Sequence, residues 1–296
     1  MAEIIQRDGT WAFDGTTVRI TPGLHRSVPL FRQTYGEIAV PLEAVSGVVY
    51  EPERKRGRLR MRLREGADPL LHATGGRLPD PADPYRLLVD IDRSGVAEYM
   101  AEEIRRALLL DQVPKEPTKT YLLAGPPVPV SVRSSDGTVS FDGLQVRIDW
   151  SDTSDRVKRA TGPRIIAIDD VVGVEWLPNS GYEDGFLRFV TRETALSKLP
   201  PEKDPYALDL WGSARRDLLT ALVATAVTAR LPHPSTRTGN DLAEGRPARL
   251  PAAVPPQADH HDVLLRRLRE LGELHRDGVL TDEEFAMTKA AVLRGF

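Results

Sequence analysis

The chain has 296 residues, 41% hydrophobic and 28% charged, with a formal net charge of -3 and no cysteine. That balance suits a folded protein of two domains and excludes a long disordered chain. It also excludes disulfides, thiolate catalysis and cysteine-ligated zinc or iron-sulfur sites. The start, MAEIIQRDGTW, lacks the basic, apolar and small-residue succession of a signal peptide, and the longest apolar run, residues 218–227, is too short to cross a bilayer. The expectation is a cytoplasmic protein, with attachment at most peripheral to the inner face of a membrane.

In chain order, Trp11, Phe13, Val18 and Ile20 flank Asp14-Gly15, which predicts a tight hairpin. Residues 37–45 alternate Ile38, Val40 and Leu42, and GVVYE at 47–51 reads as the next strand. The run RKRGRLRMRLR follows at 54–64, with seven basic residues in eleven. YRLLVDI at 85–91 predicts another strand, introduced by an Asp-Pro-Tyr at 83–85 whose proline fixes the chain. Ser94 then reads as the N-cap of a helix burying Tyr99, Met100, Ile104, Ala107 and Leu108. Five prolines in residues 111–130 predict a stiff connector.

The pattern then recurs. DGTWAFDGTTVRI at 8–20 matches DGTVSFDGLQVRI at 136–148 in nine of thirteen positions, VSGV at 45–48 answers VVGV at 171–174, and GRLR at 57–60 answers GFLR at 185–188. Tyr50 and Trp176 correspond, and DPYRLLVD at 83–90 answers DPYALDLW at 204–211. A second helix is expected from Ser213, presenting Leu218, Leu219, Leu222, Val223, Ala226 and Val227. Four blocks in one order mark a duplication. The organisation is repeat one at 1–112, a proline-rich linker at 113–128, repeat two at 129–232, a disordered polar linker at 233–261 and a helical segment at 262–296. The fold class is α+β, each repeat a small antiparallel barrel or sandwich closed by a C-terminal helix. This order of elements resembles a pleckstrin-homology-like domain, twice over.

In the last segment Leu264, Leu268 and Leu271 share a helical face that Leu265 and Leu274 widen. A break at Asp277-Gly278 precedes a capping box, Thr281 and Glu284, and a second helix presenting Phe285, Val292 and Phe296. LRELGELHRDGVLTDEEFAMTKAAVL resembles a SHOCT (short C-terminal) domain, and the whole chain resembles an actinobacterial family of unknown function with two pleckstrin-homology-like repeats before such a tail. The resemblance implies a self-associating or partner-binding tail. So small a hairpin seldom folds alone, and its leucine stripe needs a surface.

As a strand, residues 58–64 point Leu59, Met61 and Leu63 inward and Arg58, Arg60, Arg62 and Arg64 outward. Repeat two has Phe186, Arg188, Val190 and Arg192 on the outward side, so the fold does not require four arginines there. Arg54, Lys55, Arg56, Arg58, Arg60, Arg62 and Arg64 are the candidate anion- or partner-binding residues, against a plainer reading as a solvated face balanced by Glu51, Glu53 and Glu65. At about 1 kcal/mol per basic residue near an anionic membrane, four to seven of them give a dissociation constant between about millimolar and ten micromolar.

His260-His261-Asp262 is better read as a helix start than a metal site, and no phosphate loop, HExxH or GxSxG elbow is present. No metal, cofactor or catalytic residue is expected. The expected role is a non-enzymatic binding or scaffold protein, a homo-oligomer or partner binder through its tail, docking on an anionic membrane surface or acidic partner; nucleic acid is disfavoured because no aromatics interleave the arginines. The alternative is an enzyme or small-ligand binder with a site in the cleft between the repeats.

Overall fold

A computed structural model describes residues 2–195 and 199–236, all within one compact unit. In repeat one, β1 (Ala2–Gln6), β2 (Gly9–Phe13), β3 (Thr17–Pro22) and β4 (Ile38–Pro41) form an antiparallel sheet in that order, with α1 (Leu30–Tyr35) on the last connection. A second antiparallel sheet follows, β5 (Val45–Glu51), β6 (Arg56–Leu63) and β7 (Arg86–Asp90), with α2 (Pro69–Thr74) between its last two strands and α3 (Ser94–Leu110) after it.

Repeat two has the same plan. Its four-stranded sheet is β8 (Val130–Arg133), β9 (Gly137–Phe141), β10 (Gln145–Trp150) and β11 (Arg164–Ala167), with α4 (Arg156–Ala160) before the last strand. Its three-stranded sheet is β12 (Val171–Leu177), β13 (Gly185–Thr191) and β14 (Ala207–Leu210), followed by α5 (Ala214–Asp217) and α6 (Thr220–Thr228).

Alternation sets which side chains meet. Trp11, Phe13, Val18, Ile20, Ile38 and Val40 of one sheet and Val48, Leu59, Met61, Leu87 and Val89 of the other are all buried, in one cluster that continues through repeat two. The expected hairpins are present, held by an aspartate at each turn: Asp14 Oδ1 accepts from the amides of Thr16 and Thr17, and Asp142 Oδ1 from those of Leu144 and Gln145.

Several expectations are corrected. Ser94 is not a side-chain cap: it lies in the first turn of α3, and its Oγ accepts from the Tyr50 hydroxyl at 2.7 Å. Ser213 precedes α5 but makes no capping bond through its side chain, and the single helix expected there is broken into α5 and α6. Tyr99 faces solvent, because α3 turns Ala97, Met100, Ala101 and Ile104 inward. The aromatic pair behaves as one feature, since Trp176 donates to Thr220 Oγ1 of α6 at 3.0 Å much as Tyr50 donates to α3.

Each repeat also carries a buried ion pair at the turn between its first two strands. Asp8 accepts from Arg32 of α1 at 2.9 Å, and its Oδ2 also receives the amide of Leu88 in β7 at 3.0 Å. Asp136 meets Lys158 of α4 at 2.5 Å and receives the amide of Asp209 in β14 at 2.9 Å. The Lys158 side chain is wholly buried. A carboxylate from the four-stranded sheet thus fills a hydrogen-bonding position on the three-stranded one and meets a cation from the nearby short helix. The glycine after it is required by close approach: a Cβ on Gly137 would lie 2.4 Å from the Asp149 carbonyl oxygen.

The repeats interlock. α2 is a complete short helix, with Asp68 accepting from the amides of Leu70 and Leu71, Pro69 in the first turn and Gly75 left-handed at its end. It packs along α6 and against β12. The linker follows the same line: Leu122 and Leu123 donate their amides to Ala67, and a Cβ on Gly125 would lie 2.5 Å from Ala229 Cβ. Every residue of α6 is consequently buried, whereas α3 keeps a wet face. The chain stays ordered past residue 232, where His233 Nε2 hydrogen-bonds to the Gly66 carbonyl at 3.0 Å and Ser235 donates to that of Lys119.

Removing one partner of a buried ion pair strands the other, so Asp136→Ala should lose about 3–5 kcal/mol of unfolding free energy in urea titration. A loss below about 1 kcal/mol would show that the pair does not hold the sheets.

Candidate functional site

β6 is the middle strand of its sheet, so its outward face is flanked by β5 and β7. Leu59 and Met61 point inward and are buried, while Leu63 is half-buried. A Cβ on Gly57 would lie 2.3 Å from the Tyr50 hydroxyl, and a Cβ on Gly185, at the same position in repeat two, would lie 2.3 Å from the Leu177 carbonyl oxygen.

The seven basic residues fall into distinct environments. Arg56 pairs with Asp90, its registered neighbour on β7, at 2.9 Å. Arg58 pairs with Glu53 at 3.1 Å and Arg60 with Asp80 at 2.5 Å. Arg64 lies beyond the strand and is a structural bolt, donating to the carbonyls of Glu116 through Nε and Nη2 and of Glu43 through Nη1. Of the acidic residues expected to balance the run, Glu53 pairs with it; Glu51 and Glu65 form no ion pair with it among the described residues. Arg54, Lys55 and Arg62 are exposed and have no ion-pair partner among the described residues.

Two further arginines, brought in from other elements, complete the cluster. Arg86 stands opposite Arg60 on β7, almost fully buried, and also pairs with Asp80. Arg32 comes in from α1 with Asp8. Burial lowers the Arg86 pKa, Asp8 raises it, and Arg58, Arg32 and Arg60 depress it further. The Nε groups of Arg32, Arg60 and Arg86 are buried without an acceptor among the described residues. Each such unmet donor costs about 1–3 kcal/mol.

Next to this cluster lies a buried acidic and phenolic group. Asp83 Oδ1 accepts the Tyr85 amide, and the Tyr85 hydroxyl donates to Asp68 at 2.8 Å. Burial lifts Asp68 to about 6; hydrogen bonds from Leu70, Tyr85 and Leu71 oppose the rise and Asp83 adds to it. The Tyr35 hydroxyl is buried without a partner among the described residues, and burial, with the Asp68 charge, raises its pKa.

Repeat two shows the same frame with different contents. Arg188, the counterpart of Arg60, donates to Asp204 at 2.8 Å, Glu175 at 3.3 Å and the Leu199 carbonyl at 2.6 Å. Phe186 replaces Arg58 and lies beneath Arg188, and Ala207 replaces Arg86. Asp204 accepts the Tyr206 amide as Asp83 accepts that of Tyr85, so Asp-Pro-Tyr is a turn that places a buried carboxylate beside the strand arginine.

Leu264, Leu268, Leu271, Phe285 and Val292, and with them His260, His261 and Asp262, lie outside the described residues. Among the described residues no group of three or more histidine or acidic side chains is placed to hold a metal, and no helix is long and apolar enough to cross a membrane. The family model "Domain of unknown function (DUF4429)" matches the chain twice, over residues 11–105 and 139–228. No curated protein matches it.

Because the folded Asp68 pKa of about 6 lies above the ordinary 3.8, its carboxyl binds a proton more tightly in the folded chain. Its contribution is therefore greatest below the unfolded value and is lost as pH rises through about 6. Melting temperatures of the parent relative to Asp68→Asn should fall between pH 5 and pH 7.5. A gap that stays constant or widens would contradict the assignment.

Proposed function

The chain belongs to the family defined by the domain of unknown function DUF4429, which it carries in two copies, and we propose that it is a non-enzymatic binding protein that docks on an anionic membrane face through repeat one. In this reading each repeat is a pleckstrin-homology-like unit, four strands and three strands ended by a helix. The tail acts as a SHOCT-like device for self-association.

The observation that carries the reading is the asymmetry of the outward face of the middle strand. Repeat one presents Arg58, Arg60 and Arg62, with Arg54 and Lys55 at the approach to the strand, where repeat two presents Phe186, Arg188 and Val190. The contacts limit the strength of such docking. With Arg56, Arg58 and Arg60 paired and Arg64 bonded to carbonyls, Arg54, Lys55 and Arg62 supply the available charge. Three basic side chains at about 1 kcal/mol each give a dissociation constant of several millimolar. One copy holds a membrane poorly; several copies joined through their tails gain by avidity.

Two measurements test the reading. Reversing Arg54, Lys55 and Arg62 to glutamate should abolish cosedimentation of the full chain with phosphatidylglycerol vesicles, and unchanged binding would remove this face from the function. Light scattering should find the full chain multimeric and a chain ending at Thr236 monomeric; two monomers would refute self-association through the tail.

A further inference from the structure

Arg60 and Arg86 are directly opposed across β6 and β7. Like charges so placed repel unless an anion lies between them. Asp80 supplies that anion: one carboxylate oxygen meets Arg60 and the other meets Arg86. The Arg86 side chain is 7% exposed and the Asp80 side chain 46%, so the fork is rooted in the fold while the carboxylate stands half in water. Arg58, next along the outward face of β6, is held by Glu53.

Some donors around this fork lack an acceptor although Asp8 and Asp83 also stand near it. Asp80 spends one oxygen on each guanidinium, and the Nε groups of Arg60 and Arg86, with that of Arg32 nearby, keep no acceptor among the described residues. Repeat two is an internal control. Arg188, at the position of Arg60, bonds through all three nitrogens, and the positions of Arg58 and Arg86 hold Phe186 and Ala207. The same frame can thus satisfy its strand arginine with carboxylates and a carbonyl, and repeat one instead adds two further guanidiniums.

We propose that Arg58, Arg60 and Arg86 form a binding site for a phosphate group, and that Asp80 occupies the site in its absence. This rests on the reading of repeat one as the anion-binding repeat. A phosphate monoester offers three strongly accepting oxygens and up to two negative charges, matching the surplus donors better than one carboxylate does. Arginine forks suit such planar, two-point recognition. Asp80 can leave without disturbing a strand, because it sits in the short turn Asp80–Ala82 on the β6–β7 connection, downstream of Gly75 and Gly76.

The test uses the full chain and Asp80→Asn, with inorganic phosphate as the calorimetric probe and phosphatidylcholine vesicles containing phosphatidic acid as the lipid form of the same group. Asp80→Asn should bind inorganic phosphate about tenfold more tightly than the parent, the order expected for removing one competing charged contact. Adding Arg60→Gln or Arg86→Gln should each cancel the gain; using both guards against Arg86→Gln failing to fold. Equal phosphate affinity in parent and Asp80→Asn, or a gain that survives both arginine changes, would overturn the site. A gain extending to phosphatidic acid vesicles identifies a lipid headgroup as the source of the phosphate. A gain confined to inorganic phosphate keeps the site as one for a free phosphate and separates it from docking, which the reversal of Arg54, Lys55 and Arg62 tests. Vesicle binding that responds to Arg54, Lys55 and Arg62, with no phosphate gain in Asp80→Asn, keeps docking and removes this site.

Discussion

The fold depends on a carboxylate reaching across a gap that strand pairing leaves open. In each repeat the four-stranded and three-stranded sheets are separate ladders, so the outer amides of the last strand need an acceptor. Asp8 and Asp136 provide it, and the charge they bring into the interior is met by Arg32 or Lys158. A buried charge with one partner removed is far worse than no charge at all, so the short helix carrying the cation, the turn carrying the aspartate and the edge strand are bound to one another. Asp8-Gly9 and Asp136-Gly137 are the first residues of the longest repeated block, as expected if this turn constrains sequence more than any single apolar position does.

With both repeats closed in this way, their union is a matter of covering α6. The segment LLTALVATAV is apolar on every side, and a helix of that kind is stable only when surrounded. β12 lies on one side and α2 of repeat one on another, while Leu123 and Gly125 of the linker pack nearby. α3 has no such neighbour and shows the usual amphipathic division, with Tyr99, Leu109 and Leu110 in water. The duplicated domain has therefore diverged at its closing helix, repeat one keeping a solvent-facing form and repeat two a fully enclosed one.

Much of this was legible in the sequence wherever side-chain period and turn chemistry acted locally. The hairpins at Asp14-Gly15 and Asp142-Gly143, the inward Leu59 and Met61, and the equivalence of Tyr50 and Trp176 follow from alternation and internal repetition. α2 is marked locally by Asp68, Pro69 and Gly75, a cap, a first-turn proline and a left-handed stop, but the span between them is too short to show a helical period. β1 and β8 carry little signal because each is an outer strand of four or five residues with only two buried side chains in β1 and one in β8. LLTALVATAV is too short for a bilayer, and its all-round apolarity implies cover by other parts of the chain. The arginine cluster was legible only in part, because Arg32 and Arg86 are brought to β6 by long-range pairing that no local pattern encodes.

The comparison that separates structural from surplus charge is the one between the two copies. Arg188 shows what the frame asks of an arginine at this strand position: a carboxylate from Asp-Pro-Tyr, a second from the neighbouring strand and a carbonyl, leaving no nitrogen unused. Arg64 shows that arginines of the basic run can likewise be absorbed, since its guanidinium ties the linker to repeat one. Against those two, Arg60 and Arg86 share a single half-exposed carboxylate and leave buried donors unmet. An unmet buried donor works against stability, so packing alone gives no reason to accumulate three guanidiniums where a phenylalanine, one arginine and an alanine serve the same frame. The excess lies along the central strand and its β7 neighbour in the repeat whose closing helix keeps a solvent-facing side, and on physical grounds the function of the pair is to be sought there.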